Sequence, residues 1–188
     1  LLHGALGAKS QFEPLVPLLP PDLPVYSLNL AGHGGGPFPN GPFRMETFAK
    51  ELVTWLEEKQ LPKVRVLGYS MGGYVALDAA RQQPDRFSGI FTLASKFHWT
   101  PETAQQETAK LQPDLIATKV PAFAQTLQAR HAPQDWSEVV RRTANLMQHL
   151  GQQPLLSAEA LASITVPVRI AVGDRDQMVS IEESLAAF

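Results

Sequence analysis

The sequence has 188 residues, 44% of them hydrophobic and 18% charged, a balance that predicts a folded domain with a sizeable core rather than a disordered chain. Sixteen basic and eighteen acidic residues give a net charge of −2, and no dense Lys/Arg cluster suggests binding to nucleic acid or to a membrane surface. Disulfides and thiolate metal sites are excluded because the sequence contains no cysteine.

The chain opens on two apolar residues, Leu1 and Leu2, without a methionine, and it stops inside the helical pattern ESLAAF. We therefore expect a fragment that lacks both natural termini. Neither a signal peptide nor an apolar stretch of membrane-spanning length is recognisable, so a cytoplasmic protein without a membrane partner is the default expectation.

Short apolar runs bounded by turn residues predict strands along the chain. Longer segments with helical spacing of apolar residues separate them, as in METFAKELVTWLEEK and in the segment after GYSMGG. This alternation predicts an α/β fold, a mostly parallel sheet with helices on both faces. The predicted strands are residues 25–30, 64–69, 87–94 and 166–173.

Residues 95–165 interrupt the alternation, because their patterns are helical and no strand is recognisable among them. We expect an inserted helical cap over this range. The core of the fold is then expected to combine residues 1–94 with residues 166–188.

GYSMGG, residues 68–73, lies between a predicted strand and a predicted helix. In a Gly-x-Ser-x-Gly turn the glycines allow close backbone approach around a strained central residue, which exposes its side chain. The flanking strand and helix favour a catalytic Ser70 over a serine in a merely structural turn. A serine nucleophile also needs an oxyanion hole and a base.

Backbone donors for an oxyanion are predicted at Met71, which opens the helix after the serine, and at Ala5, in the loop HGALG at a strand end. Acidic candidates are Asp174 and Asp176, which follow the strand predicted at 166–173. The carboxyl ends of strands are where α/β sheets assemble their sites.

Together these motifs resemble the α/β-hydrolase superfamily. LLHG is similar to its oxyanion-loop motif, NLAGHGGGP to its Gly-His-Gly turn, GYSMGG to its nucleophile elbow and GDRDQMV to its acid motif. The resemblance implies that Ser70 is the nucleophile, Asp176 the triad acid, and the amides of Ala5 and Met71 the oxyanion hole. Asp174 fits the acid motif less well.

The family's catalytic histidine follows the acid, but no histidine occurs among the twelve residues after Asp176. His3 and His33 belong to motifs in which the family uses histidine structurally, while His131 and His149 lie in the insertion as surface or satisfied polar residues. His98, in KFHWTP, is the rival base. We expect the triad histidine to lie outside these 188 residues, which would leave the 188-residue chain nearly inactive.

The expected reaction is hydrolysis of an ester-type carbonyl in a small, mainly apolar substrate, through an acyl-enzyme on Ser70. Leu6, Phe97, Trp99 and Met147 are the expected substrate-binding residues. Cofactor-free haloperoxidase, lyase or carbon–carbon hydrolase chemistry would use the same groups. A non-catalytic binding or receptor protein with this fold is the alternative from another class.

No cofactor or metal is expected. A dinucleotide site requires a Gly-rich turn that opens a helix, whereas prolines follow the glycines of AGHGGGPFPNGP. The sequence also lacks HExxH or a paired His/Asp cluster. A small-molecule substrate is the expected partner, and the sequence carries no signal for an oligomeric state.

Overall fold

The computed structural model describes residues 1–187, which are organised around a parallel sheet. Its strands are β1 (Val64–Tyr69), β2 (Phe87–Leu93) and β3 (Val168–Ala171), in that spatial order. All pairings are parallel, as the alternation of strands and helices predicted. The predicted boundaries agree for β1, whereas β2 and β3 are shorter than predicted.

Residues near the N-terminus extend this sheet beyond β1. Leu2 forms parallel bridges to Leu28 on one side and to Gly68 on the other. Its amide donates to the Leu67 carbonyl at 2.9 Å, and its own carbonyl accepts from the Tyr69 amide at 2.9 Å. The prediction of a strand over 25–30 is therefore wrong in extent: only a bridge at Leu28 forms, because only Leu1 and Leu2 lie beside this segment as ladder partners.

Two helices pack beside the sheet, α1 (Met45–Glu58) and α2 (Met71–Gln82). Phe48, Leu52 and Leu56 recur at helical spacing and form the buried face of α1. Helix α2 is buried almost throughout, since it packs against both α1 and strands β1 and β2. The first residue of α2 directly follows Ser70, so the packing of this helix fixes the position of the serine.

Residues 95–165, all of them described, contain five helices and no strand. The longest of them, Trp136–Gln152, buries its apolar residues at helical spacing, among them Val140, Leu146 and Met147. We call residues 95–165 the insertion. Its helices are α3 (Pro101–Thr108), α4 (Pro113–Lys119), α5 (Pro121–His131), α6 (Trp136–Gln152) and α7 (Ala158–Ala162).

After β3, the chain passes through a turn at residues 173–180 into α8 (Ile181–Ala186). Because the strands are parallel, the loops that follow Leu2, β1, β2 and β3 emerge at one edge of the sheet. All of the predicted catalytic residues lie in these loops. Within residues 1–187, no helix is both long and apolar enough to cross a bilayer.

Candidate active site

Ser70 occupies the sharp turn between β1 and α2. Its backbone angles are φ 52° and ψ −118°, in the left-handed half of conformational space that non-glycine residues seldom adopt. Its amide donates to the Leu93 carbonyl at 2.8 Å, and its carbonyl accepts from the Ser95 hydroxyl at 2.8 Å. The Ser70 side chain does not cap α2. Leu93 at the end of β2 and Ser95 just beyond it therefore hold the strained backbone, while the hydroxyl stays available.

The glycines of GYSMGG allow this turn to close. A methyl group on Gly68 would collide with the backbone of Gly72 and Gly73, and one on Gly72 would collide with the Leu2 carbonyl. Gly4 also approaches closely, since a Cβ built there would lie 3.1 Å from the Ser70 Cβ. The loop at residues 3–7 thus comes directly beside the serine.

Both predicted oxyanion donors, Ala5 and Met71, border the same cavity as Ser70. Met71 is the first residue of α2, and amides in the first turn of a helix lack intrahelical partners and lie at the positive end of its dipole. The Gly4 carbonyl accepts from the Gly7 amide at 3.0 Å, which defines a tight turn with Ala5 and Leu6 at its centre. Ala5 and Met71 therefore both lie beside the serine, in the region where an oxyanion hole needs backbone donors.

The cavity around Ser70 is about 20 Å³, room for about one water molecule. Trp99 and Met147 line it, whereas Phe97 lies in a neighbouring groove. Leu6 borders neither space. The remaining lining residues, which sequence patterns did not single out, are Met45, Tyr74, Lys96, Leu146 and Met178.

All four methionines of the sequence, at positions 45, 71, 147 and 178, border this cavity. Methionine side chains are unbranched and flexible, so they can rearrange to admit groups of different shape. Their convergence is visible only in the fold, because the four lie in separate segments. A small resting cavity with flexible apolar walls is the result.

Asp176 lies in the turn after β3, as predicted. Its Oδ1 accepts from the backbone amides of Met178 and Val179, both at 2.8 Å, which fixes the orientation of the carboxylate. Within residues 1–187, Asp176 Oδ2 makes no hydrogen bond and could accept one from a base. Asp174, the other acidic candidate, is exposed.

Asp176 borders a groove of about 670 Å³ that adjoins the serine cavity, and Lys96 and Met178 line both spaces. Lys96 Nζ donates to the Met178 carbonyl at 3.1 Å and pairs with Glu183 Oε2 at 3.3 Å. Glu183 Oε1 in turn accepts from the amides of Phe97 and His98, both at 2.7 Å. This network joins the segment after β2 to the acid-bearing turn.

Three of the five histidines are fully buried away from the serine cavity: His3, His33 and His131. Burial lowers the pKa of His3 to about 4 and that of His33 to about 3, and it also lowers the pKa of His131. His3 accepts from the Leu30 amide through Nε2 and donates from Nδ1 to the Gly4 carbonyl at 2.8 Å. These histidines are neutral structural groups at pH 7.

The rival base, His98, is exposed and borders the groove that contains Asp176. His149 is half-buried on α6. Among residues 1–187, no histidine lines the cavity around Ser70. The described residues also contain no group of three His, Cys, Asp or Glu side chains placed to hold a metal ion.

The sequence matches the family profile described as "alpha/beta hydrolase fold" over residues 1–188. The pimeloyl-[acyl-carrier protein] methyl ester esterase of Neisseria meningitidis serogroup C is 29% identical over 197 residues, covering 94% of this chain and 74% of the relative. Ethanol acetyltransferase 1 of Kluyveromyces marxianus is 36% identical over 88 residues, covering 46% of this chain and 24% of the relative.

Among solved structures, NosK from Streptomyces actuosus aligns with a TM-score of 0.78 at 22% identity, covering 98% of this chain and 78% of NosK. This likeness concerns the fold. The predicted α/β-hydrolase fold and the predicted class of enzyme, an esterase-like hydrolase, are both confirmed. The profile match over the whole sequence, the parallel sheet and the strained serine turn between β1 and α2 agree with one another. The chain therefore belongs to the α/β-hydrolase family.

Proposed function

We propose that the protein hydrolyses esters of small, mainly apolar acyl groups through an acyl-enzyme on Ser70. The observation that carries the proposal is the strained backbone of Ser70, at φ 52°, beside a cavity that Ala5 and Met71 also border. Such strain persists only where surrounding structure maintains it, and it is characteristic of functional sites. The esterase of Neisseria meningitidis supports the reaction class.

In this reaction the Ser70 Oγ attacks the ester carbonyl carbon while a base takes the hydroxyl proton. The amides of Ala5 and Met71 donate to the oxyanion of the tetrahedral intermediate. The intermediate collapses with cleavage of the bond to the alcohol, which leaves with the proton returned by the base. Water then attacks the acyl-enzyme by the same sequence and releases the acid.

Asp176 is the proposed partner of the base, since its Oδ1 is held by two backbone amides and its Oδ2 can orient a ring N–H. We propose that the base is a histidine outside these 188 residues, because the described histidines lie away from the serine cavity. The groove beside Asp176, about 670 Å³ in volume, offers room for such a residue.

The acyl site of the proposal is the cavity under the insertion, which then acts as a cap. Trp99, Leu146 and Met147 from the insertion line the same cavity as Ser70, and methionines from other segments add further apolar wall. Since the resting cavity holds only about 20 Å³, substrate binding requires these side chains to rearrange. Flexible apolar walls favour an acyl group recognised by shape and hydrophobicity rather than by charge.

The native gene product provides the test. We expect a fluorophosphonate to label Ser70 and a short-chain aryl ester to be hydrolysed. Ser70→Ala should lose several orders of magnitude in kcat, while the exposed Ser88→Ala should remain active. An unaltered protein that neither reacts with the probe nor hydrolyses the ester would instead favour the non-catalytic binding protein.

Acyl transfer to an alcohol is a second candidate, favoured by the match to ethanol acetyltransferase 1 over 88 residues. It uses the same acyl-enzyme but an alcohol, rather than water, as the acceptor in the second step. Adding ethanol to the aryl ester assay distinguishes hydrolysis from acyl transfer. Ethyl ester formed in place of free acid identifies a transferase, and free acid alone identifies a hydrolase.

A further inference from the structure

Two side chains of the insertion reach into the loop that carries Ala5. The Leu6 carbonyl accepts from Arg130 Nη1 at 2.8 Å and from His131 Nε2 at 3.1 Å. These donors lie 124 and 125 residues away in the sequence, at the end of α5. Leu6 itself has φ 57°, a conformation that a leucine holds only under external constraint.

The ring of His131 is itself fixed. Its Nδ1 accepts from the Gly34 amide at 3.1 Å, so the neutral ring carries its proton on Nε2 and donates it to Leu6. The Gly34 carbonyl accepts from the Asn29 side chain at 3.2 Å. A side chain on Gly35 would collide with the Ala132 carbonyl, which shows how closely the two segments approach.

The Leu6 carbonyl connects to the oxyanion hole through two peptide planes. It shares a planar trans peptide with the Gly7 amide, which donates to the Gly4 carbonyl at 3.0 Å. The Gly4 carbonyl shares the next plane with the Ala5 amide, the proposed oxyanion donor. In a trans peptide group the C=O and N–H point in opposite directions. A hydrogen bond that fixes the carbonyl therefore also fixes the direction of the N–H in the same peptide group. Hydrogen bonds in series also polarise one another.

We propose that Arg130 and His131 are positioning residues for the oxyanion hole, acting through the Leu6 carbonyl, and we call this pair the Leu6 clamp. The inference rests on the proposed function, because it assigns the Ala5 amide to the transition state. Because of the clamp, catalysis depends on how α5 packs against the loop at residues 3–7. When the insertion is displaced, the Leu6 carbonyl loses both donors. The Ala5 amide is then oriented mainly by the bond from His3 Nδ1 to the Gly4 carbonyl, so its direction is less tightly fixed.

Two substitutions of His131 distinguish a role in positioning the oxyanion hole from a role in stability alone. His131→Gln can still donate to the Leu6 carbonyl but loses the acceptor for the Gly34 amide. His131→Asn keeps that acceptor but loses the donor to Leu6. Each variant gives up one buried hydrogen bond, so the two should lose similar stability. Positioning predicts that only His131→Asn loses kcat.

In the native gene product we expect His131→Asn to lower kcat about 10-fold with KM within about twofold, since a misdirected oxyanion donor weakens the transition state rather than substrate binding. His131→Gln should restore kcat to within about threefold of the unaltered protein. Arg130→Met should lower kcat, whereas Arg141→Met, which removes an exposed arginine of α6, should not. Equal losses of kcat in the Asn and Gln variants would overturn the proposal.

Hydrogen exchange of the Gly7 amide, measured by NMR, tests the clamp without catalysis. Exchange should be about 10-fold faster in His131→Asn than in His131→Gln, with the Gln11 amide of the next turn, bonded to the Ala8 carbonyl, unchanged in both. Unchanged Gly7 exchange in His131→Asn would refute the clamp. If the unaltered protein lacks esterase activity while Gly7 exchange responds as expected, the proposed function fails and the clamp on Leu6 stands.

Discussion

Tyr74 joins the body of the fold to the end of the insertion, and its hydroxyl oxygen can be removed without changing the shape of the ring. The oxygen accepts from the amides of Leu155 and Leu156, both at 3.0 Å. Tyr74 is 1% exposed and Leu156 is 3% exposed, so water cannot replace the lost acceptor at the second amide. Tyr74→Phe therefore leaves two backbone donors without their partner.

The size of the stability loss follows from the burial of the two amide donors. An unsatisfied buried amide costs about 1–3 kcal/mol, and a partly hydrated one costs less. With Leu156 buried and Leu155 half-buried, the free energy of unfolding should fall by roughly 2–3 kcal/mol. Because Tyr74 also borders the cavity around Ser70, ester hydrolysis should weaken together with stability.

Urea unfolding followed by circular dichroism measures this loss. Tyr69→Phe is the matched control: this tyrosine lies five residues earlier and is 39% exposed, so its substitution should change stability by less than about 0.5 kcal/mol. A Tyr74→Phe variant as stable as Tyr69→Phe would refute the assignment of the hydroxyl as an acceptor for the two amides.

Two further predictions concern the buried histidines and the acyl site. The unfolded chain takes up a proton on each histidine near pH 6.5, whereas the folded-state pKa is about 4 for His3 and about 3 for His33. The unfolded state therefore binds more protons in that interval, and lowering the pH from 7 to 5 should reduce the free energy of unfolding by roughly 2 kcal/mol per histidine. His33→Phe should flatten this dependence in urea unfolding at several pH values, and an unchanged slope would show that other groups cause it. Separately, Met147→Ala should enlarge the cavity around Ser70 and shift the preferred acyl chain towards longer esters. Comparing kcat/KM from acetyl to octanoyl aryl esters checks this, and an unchanged preference would place the acyl chain elsewhere.

Local patterns were sufficient for most of the elements and for the strained turn at Ser70. A strand followed by GYSMGG and a helix predicted both the bounds of β1 and the turn at Ser70, because strain, glycine crowding and helix initiation all act within six residues. The same local logic failed at residues 25–30. There the apolar run predicted a strand, but a strand also needs a hydrogen-bonding partner along its length, and only the bridge at Leu28 forms.

The sequence predicted only some of the residues that line the cavity around Ser70. Trp99 and Met147 border the cavity as expected, but Leu6 instead turns its carbonyl to the insertion, and Phe97 faces the neighbouring groove. Which side of a loop residue faces a cavity depends on how the loop packs against distant helices. Periodicity carries no information about that packing.

By itself, then, the sequence determined the α/β architecture, the helical insertion and the strained serine, since each follows from the conformational preferences of neighbouring residues. Only the tertiary structure decided that four methionines border the cavity around Ser70 and that Arg130 and His131 donate to the Leu6 carbonyl. Those contacts join segments far apart in the chain. They exist because parallel strands end at one edge of the sheet and the insertion packs over that edge, an arrangement set by the burial of the whole core.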